Sequence, residues 1–236
     1  MLYFQPLNAH FQAPINNPKL VLMRTSQSVC NLNETTRVAQ YELIIIVKSS
    51  PGNEARRCRL RRLISHQVTK LATSVGLLFS LGIPADTRNR SELLDTISDE
   101  AARFDDIILA DFTDTYYNLT LKTLLNLRYA HVACHGASPL FAFMDDDHGL
   151  NLTAPKVIRK PGHKWAVSRE DMPFFMYPDY AAGPCYFLGS EALESLSIAA
   201  AFTKPFSMED AYVGLIAAKL GIKMHQLPGV HLHGHI

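Results

Sequence analysis

Apolar residues from position 41 onward form short runs that alternate with longer segments of helical period. Short apolar runs predict β-strands, and apolar positions that recur near every 3.6 residues predict helices packed on a sheet. The predicted strands are Glu42 to Lys48, Val75 to Leu81, Asp106 to Ala110 and Leu140 to Met144. Alternating strands and helices indicate a three-layer α/β domain with parallel strands, whose ligands bind beyond the carboxyl ends of the strands.

Two segments between the predicted strands have a clear helical period. In residues 54–72, Leu60, Leu63, Ile64 and Val68 recur on one face, which predicts an amphipathic helix with an arginine-rich outer face. The period returns in residues 117–132. Both helices fit between successive parallel strands.

A third helix is predicted between Ser207 and Gly221. Ser207 is a residue type that caps helices, and Glu209 and Asp210 suit the positive end of the helix dipole. Capping explains these residues without a further role. A carboxylate at this position can also act as a general base if a hydroxyl lies within hydrogen-bond reach.

The composition removes several classes of protein. The chain has 236 residues, of which 47% are hydrophobic and 19% charged, so it can bury a core and is neither disordered nor collagen-like. Its 23 Lys and Arg balance 22 Asp and Glu, which argues against a dedicated nucleic-acid binder. The apolar run Leu43 to Val47 is far below the roughly 20 residues that cross a bilayer, and the first residues lack a signal-peptide pattern.

Cysteines and glycosylation sequons bear on the compartment. The widely spaced Cys30, Cys58, Cys134 and Cys185 permit two disulfides in three connectivities, or four buried thiols. Four segments fit the acceptor pattern N-x-[ST], which favours secretory exposure but also arises by chance: Asn33, Asn89, Asn118 and Asn151.

The strongest local signal is FAFMDDD, in which Asp145, Asp146 and Asp147 follow an apolar strand. Continued strand geometry sends Asp145 and Asp147 to one side and Asp146 to the other. Paired carboxylates of this kind suit Mg²⁺ or Mn²⁺, which completes its shell with water and phosphate oxygens. A solvated acidic turn is the alternative interpretation.

Five segments together carry a specific resemblance. In chain order they are DDIILADFTDTYYNLTLKT from Asp105, FAFMDDD from Phe141, KWAVS from Lys164, YPDYAAGPCYFLGSEAL from Tyr177 and EDAYVGLIAAKLGI from Glu209. With this order the chain resembles the β-1,3-glycosyltransferase family of β-1,3-galactosyltransferases and β-1,3-N-acetylglucosaminyltransferases, which includes the fly Brainiac protein. The resemblance covers about three quarters of the chain, from Leu43 to Ile222.

The resemblance implies a GT-A type nucleotide-sugar-binding fold with a mainly parallel central sheet flanked by helices. It implies inverting transfer of a hexose or N-acetylhexosamine from a UDP-sugar to the 3-hydroxyl of a glycan on lipid or protein. The family's acidic motif matches Asp145, Asp146 and Asp147, so the resemblance implies that Asp145 and Asp147, together with Asp146, hold Mn²⁺ or Mg²⁺. Asp210 is the catalytic base with Glu209 as its neighbour.

The resemblance assigns binding roles less specifically at other matched positions. The residues expected to bind the donor are Asp111, Lys122, Arg57 and Arg61; the alternative interpretation is a solvated helix face. The acceptor-side set, in which Trp165 can stack on a sugar ring or pack in the core, is Lys164, Trp165, Tyr177, Tyr180 and Gly183.

The resemblance also sets the expected organisation. Residues 1–40 are a poorly ordered lead-in or stem, and residues 41–236 form the catalytic domain, shortened between 148 and 163 and at its end. The family implies the Golgi lumen or membrane, with membrane association only through an anchor that this chain lacks. Because of the shortening, a catalytically inactive carbohydrate-binding relative stays open as an alternative. An acidic Ca²⁺-binding domain without transfer chemistry is a third interpretation.

Overall fold

The computed structural model describes residues 13–30, 40–147, 168, 171 and 185–225. These residues form a mixed six-stranded sheet with helices on both faces. The strands are β1 Leu22–Arg24, β2 Leu43–Lys48, β3 Val75–Pro84, β4 Ile107–Asp114, β5 Leu140–Asp145 and β6 Cys185–Gly189. The helices are α1 Glu54–Leu71, α2 Arg90–Phe104, α3 Leu119–Ala133, α4 Ser190–Ala200 and α5 Glu209–Lys219, with a 3₁₀ turn at Tyr116–Asn118.

The strand order is β1-β4-β3-β2-β5-β6. The four inner strands β4, β3, β2 and β5 are parallel, while the edge strands β1 and β6 pair antiparallel with β4 and β5. The predicted α/β sheet is therefore confirmed, and its antiparallel edges make it mixed. From β2 the chain winds to one side through β3 and β4 and returns to β5 on the other side, so the carboxyl ends of β2 and β5 form the topological switch point.

Two apolar clusters fill the spaces between the layers. One side of the sheet packs on α1 and α2 through residues such as Val47, Phe79 and Leu60. The opposite side packs on α3, α4 and α5 through residues such as Ile46 and Tyr212. This is the expected three-layer arrangement, because alternate residues of each buried strand face opposite helices.

The inner face of α1 differs from the prediction. Leu60 is buried as expected, but Leu63 is 41% exposed, whereas Arg57 is fully buried. The expectation of an outer arginine face is therefore wrong for Arg57, and Arg61 is also largely covered. Acidic partners on α2 and β4 compensate the two guanidinium groups, so the helix buries arginines where its period predicts apolar contacts.

The start of α5 also differs. The helix begins at Glu209, and its N-cap residue is Met208, whose side chain forms no capping hydrogen bond. The prediction that Ser207 caps the helix is therefore wrong. The orientation of the first turn depends on the contacts of Glu209 and Asp210.

Residues 13–30 are attached to the sheet. Strand β1 pairs with β4, and the Asp105 carboxylate accepts hydrogen bonds from the backbone N–H groups of Gln27 and Ser28 at 2.9 and 2.7 Å. A disulfide joins Cys30 to Cys134. All four cysteines lie in the described chain, and Cys58 and Cys185 are free thiols. The predicted boundary at residue 41 stays a prediction, but part of the segment before it completes the sheet.

Candidate active site at the carboxyl ends of β2 and β5

Lys48 is the centre of the site. It is the last residue of β2, and its register partner on β5 is Asp145, so the parallel pairing places the two side chains side by side. The Lys48 Nζ lies 3.0 Å from Asp145 Oδ1 and donates a hydrogen bond to Glu209 Oε1. Burial disfavours the ammonium form, but the two carboxylates outweigh it and raise the pKa of Lys48. A buried lysine side chain therefore joins β5 to α5.

The first turn of α5 brings the predicted base region to this point. Burial opposes ionisation of Glu209, yet attraction to Lys48 outweighs burial and lowers the pKa of its carboxyl group. Asp210 is half-buried, and its Oδ1 accepts a hydrogen bond from the N–H of Ala211 at 2.7 Å. Lys48 therefore holds Glu209, and with it the first turn of α5, at the end of β5.

The acidic triplet divides between two partners. Asp145 contacts Lys48, while Asp146 is buried and accepts hydrogen bonds from Ser49 Oγ at 2.7 Å and Asn53 Nδ2 at 2.8 Å. This is the alternation that strand geometry predicts for these two residues. The strand ends at Asp145, so the alternation does not continue, and Asp147 shares Arg56 with Asp146.

Asp145 is electrostatically crowded. Burial and repulsion from Glu209 and Asp147 raise the pKa of its carboxyl group, although Lys48 acts in the opposite direction. We call the group of Asp145, Asp146, Asp147 and Glu209, with Lys48 and Arg56, the acidic cluster. Its four carboxylates face two cations, so it carries an excess of two negative charges.

Lys122 lies under this cluster. Its Nζ donates to the backbone oxygen of Ser49 at 2.7 Å and contacts both carboxylate oxygens of Asp114, at 2.8 and 2.7 Å. Burial lowers the pKa of Lys122, and attraction to Asp114 only partly offsets that effect. The pair is neutral, and it holds the loop after β2 against the end of β4.

Arg57 and Arg61 form a separate charge network. Arg57 is fully buried and binds Glu100 through Nε and Nη2, while Arg61 bridges Glu100 and Asp106. We call Arg57, Arg61, Glu100 and Asp106 the arginine network. Two cations face two carboxylates here, so the network is balanced, and both guanidinium groups are engaged within the protein.

Asp111 is not brought to the cluster. Asp111 lies on β4 at the edge that pairs with β1, where its Oδ1 accepts a hydrogen bond from the N–H of Val21 at 2.8 Å. The acceptor-side set lies outside the described residues: Lys164, Trp165, Tyr177, Tyr180 and Gly183.

The acidic cluster fits a hard divalent cation. The side chains of Asp145 and Asp147 retain exposed fractions of 37% and 33%, so their oxygens can reach a ligand, whereas those of Asp146 are used within the protein. Within the described ranges, no group of three or more His, Cys, Asp or Glu side chains is arranged to enclose a metal ion. Nucleotide-bound Mg²⁺ commonly uses only one or two protein carboxylates. The excess of two negative charges suits a cation that is shared with a phosphorylated ligand.

Sequence reasoning missed Lys48 and Ser49 as members of the site. Lys48 is the only charged residue of the run LIIIVK and stands at the carboxyl end of a strand beside the switch point, which is the signal that could have identified it. Ser49 carries no such signal, because its role comes from contacts with residues distant in sequence.

Comparison with known proteins decides the family. A profile described as Galactosyltransferase matches residues 55–154 and 148–228. The chain belongs to the galactosyltransferase family. Membership confirms the predicted resemblance and, at the level of the family, the assignment to the glycosyltransferases. The two matched segments of this galactosyltransferase-family chain meet at residues 148–154, inside the stretch that sequence analysis identifies as short.

Two relatives align with most of the chain. The "Beta-1,3-galactosyltransferase brn" of Drosophila melanogaster is 28% identical over 215 residues, which is 81% of this chain and 64% of the relative. The human "Lactosylceramide 1,3-N-acetyl-beta-D-glucosaminyltransferase" is 30% identical over 239 residues, 87% of this chain and 63% of the relative. The chain thus spans slightly less than two thirds of the length of these two relatives. No helix in its described part has the length and apolar character required to cross a bilayer.

Proposed function

We propose that this chain transfers a hexose or N-acetylhexosamine from a UDP-sugar to the 3-hydroxyl of an acceptor glycan, with inversion at the anomeric carbon. One observation carries the proposal: the acidic end of β5 and the first turn of α5 meet at Lys48, beside the switch point of the sheet. Ligands of open α/β sheets bind in this position. The names of the fly and human relatives favour galactose or N-acetylglucosamine as the transferred sugar.

Asp145 and Asp147 would hold Mn²⁺ or Mg²⁺ together with the diphosphate of the donor. Their partly exposed oxygens and the excess negative charge of the acidic cluster support this assignment. When bound, the cation would neutralise charge that develops on the departing UDP. Asp146 would keep its bonds to Ser49 and Asn53 and thereby fix the turn that presents the other two aspartates.

Asp210 would act as the general base. The acceptor 3-hydroxyl oxygen would attack the anomeric carbon as the bond from that carbon to the β-phosphate oxygen breaks, and the electron pair would leave with UDP. The hydroxyl proton would pass to the Asp210 carboxylate. A single displacement of this kind inverts the configuration. Glu209, held by Lys48, would set the direction of the first turn of α5.

The Golgi lumen is the proposed compartment. The Cys30–Cys134 disulfide supports an oxidising environment, and Asn89, which begins one of the four sequons, is exposed. Asn118, which begins another sequon, is less accessible to glycosylation, because its side-chain amide donates to the Thr113 oxygen at 2.8 Å.

A non-catalytic carbohydrate-binding relative is the second candidate. It is favoured by the short stretch of 16 residues between Asp147 and Lys164. This candidate would bind a glycan through the same fold without turnover.

One assay tests both. The purified chain is incubated with Mn²⁺, acceptor glycans and a panel of UDP-sugars, in the wild type and in Asp147→Ala and Asp210→Asn variants of verified fold. Transfer that needs Mn²⁺ and is lost in both variants supports the enzyme. Glycan binding without transfer in the wild type supports the non-catalytic relative and rejects the proposed activity.

A further inference from the structure

Lys48 connects two segments that come from distant parts of the chain. Its side chain is 4% exposed and contacts Asp145 of β5 and Glu209 of α5. We propose that Lys48 is a positioning residue for the transfer reaction, which holds the first turn of α5, and with it Asp210, in place against the acidic end of β5. This inference rests on the proposed function.

The need for such a residue follows from the charges that meet here. The carboxylates of Asp145 and Glu209 both contact the Lys48 Nζ, so two groups of like charge lie close together. A cation between two carboxylates converts their repulsion into two attractions. Without Lys48, the two segments that carry the predicted metal ligand and the predicted base would be driven apart.

The N-cap residue of α5 does not anchor the helix through its side chain. This residue is Met208, which forms no capping hydrogen bond, while Asp210 Oδ1 accepts from the N–H of Ala211 within the same turn. The bond from Lys48 to Glu209 therefore ties the first turn of α5 to a different strand. The next residue along the helix is Asp210, so a rotation or shift of the first turn would move the proposed base directly.

Burial argues that Lys48 acts through these carboxylates and not by touching the substrate. An ammonium group that is 4% exposed and occupied by two carboxylates would have to give up one of them to reach a phosphate. Lys122 offers an instructive contrast, because it is also buried but neutralises only Asp114, one carboxylate within its own region of the sheet. Lys48 alone of these two lysines joins the base region to the acidic triplet.

The test uses Lys48→Met, Glu209→Gln, the double variant and Lys48→Arg in the full chain, each assayed for transfer with Mn²⁺ and a UDP-sugar. Lys48→Met is expected to lower kcat by about 100-fold, the loss typical of a catalytic group displaced by about 1 Å, with KM for the donor changed by less than about 3-fold. Lys48→Arg should recover part of kcat because it keeps the charge. The double variant should be no worse than the poorer single variant, because both remove the same interaction.

A second readout does not depend on turnover. Mn²⁺ binding, measured by titration calorimetry with UDP present, should persist in Lys48→Met, because Asp145 and Asp147 are intact and a competing cation is gone. Lys219→Met is the matched control. It removes a lysine at the far end of α5, where Nζ contacts Thr203 Oγ1 at 3.4 Å, and should leave kcat within about twofold.

The outcomes are separable. Wild-type protein without transfer overturns the proposed function and the positioning role with it. If the wild type is active, three results overturn the positioning role alone. These are an unchanged kcat in Lys48→Met, additive losses of kcat in the double variant, and a loss of Mn²⁺ binding that accompanies the loss of kcat in Lys48→Met. If Lys48→Met does not fold, Glu209→Gln carries the test, since it keeps the length of the side chain, and unchanged kcat in that variant overturns the proposal.

Discussion

The acidic cluster and the arginine network are two groups of charged side chains that differ in charge balance and in burial. In the arginine network two guanidinium groups face two carboxylates, and Arg57 has no exposure to solvent. In the acidic cluster four carboxylates face two cations, and Asp145 and Asp147 stay about one third exposed. Both groups include an arginine of α1, so the difference in charge balance does not come from their belonging to different helices.

Charge balance separates structural from functional roles. In a balanced and fully hydrogen-bonded network, the internal ion pairs offset the cost of desolvating the charges, and no charged atom is available to bind a ligand. An unbalanced group, in which the pKa of Asp145 is raised, costs stability, and a ligand of opposite charge would relieve that cost. Arginines that look suited to phosphate in the sequence are thus used for structure, while the aspartates after β5 keep an unmet charge.

The largest expected effect comes from Asp210, which follows Glu209 of the acidic cluster on α5. Asp210→Asn should lower kcat by about 10²- to 10⁴-fold, the range for loss of a general base, because the amide cannot accept the hydroxyl proton. The free energy of unfolding should change by less than about 1 kcal/mol, since Asp210 is only half-buried. Kinetics and urea unfolding of the same preparation check both values. A large loss of stability would instead place Asp210 with the structural charges.

The arginine network should respond in the opposite way. Glu100→Gln leaves Arg57 and Arg61 without their shared counter-charge, and breaking a buried pair of this kind costs about 3–5 kcal/mol of unfolding free energy. The kcat per folded molecule should stay within about twofold. Urea unfolding followed by circular dichroism gives the first quantity, and steady-state transfer assays divided by the folded fraction give the second. A stable but inactive variant would show that this network belongs to the reaction after all.

The disulfide provides a reference distant from both groups. Replacing Cys30 and Cys134 together by Ser should lower the free energy of unfolding by about 2–5 kcal/mol, because the bond closes a long loop in the unfolded chain. Transfer should persist at temperatures where the variant is folded. Cys58→Ser, which removes a free thiol, is the control. Loss of transfer in the folded double variant would link this edge of the sheet to the site.

The smallest effects are in the pH dependence of stability, which should run in opposite directions. Burial opposes ionisation of Glu100, but Arg57 and Arg61 outweigh it and lower its pKa, so its stabilisation is present above the unfolded pKa, about 4.3, and is lost as pH falls. Burial and Glu209 raise the pKa of Asp145, so its favourable contribution exists below the unfolded pKa, about 3.9, and is lost as pH rises.

Urea unfolding from about pH 3 to 7 checks these signs. The stability difference between wild type and Glu100→Gln should shrink towards acid pH. Asp145→Asn should gain stability relative to wild type as the pH rises. If Asp145→Asn instead loses relative stability with rising pH, Lys48 neutralises Asp145 completely and the cluster carries less excess charge than we infer.

The sequence predicts the inner sheet well, because fully buried parallel strands are continuous apolar runs. All four predicted strands are present, and Leu140 to Met144 differs from β5 by one residue. The edge strands have no such signal: β1 has only three residues and is partly exposed, and β6 is recognisable only through its pairing with β5. Helix α2 was not predicted either, although it supplies Glu100.

The site could be predicted only in part. Asp145 and Asp210 were selected from motif and position, and the fold brings their neighbourhoods together through Lys48. Whether Arg57 faces solvent or Glu100 depends on a contact across 43 positions, which helical period does not encode. Periodicity assigns an arginine to the outer face by default, and only tertiary pairing can reverse that assignment.

Ser49 ties the two groups of charges to each other. Its hydroxyl donates to Asp146 at 2.7 Å and accepts from Arg57 Nη1 at 3.2 Å, while its backbone oxygen receives Lys122. The scaffold and the reactive end of the sheet are therefore not free to diverge separately over evolution. A homologue in which Glu100 is replaced would need another carboxylate for Arg57. Any resulting shift of Arg57 would change its hydrogen bond to Ser49, and through Ser49 the position of Asp146.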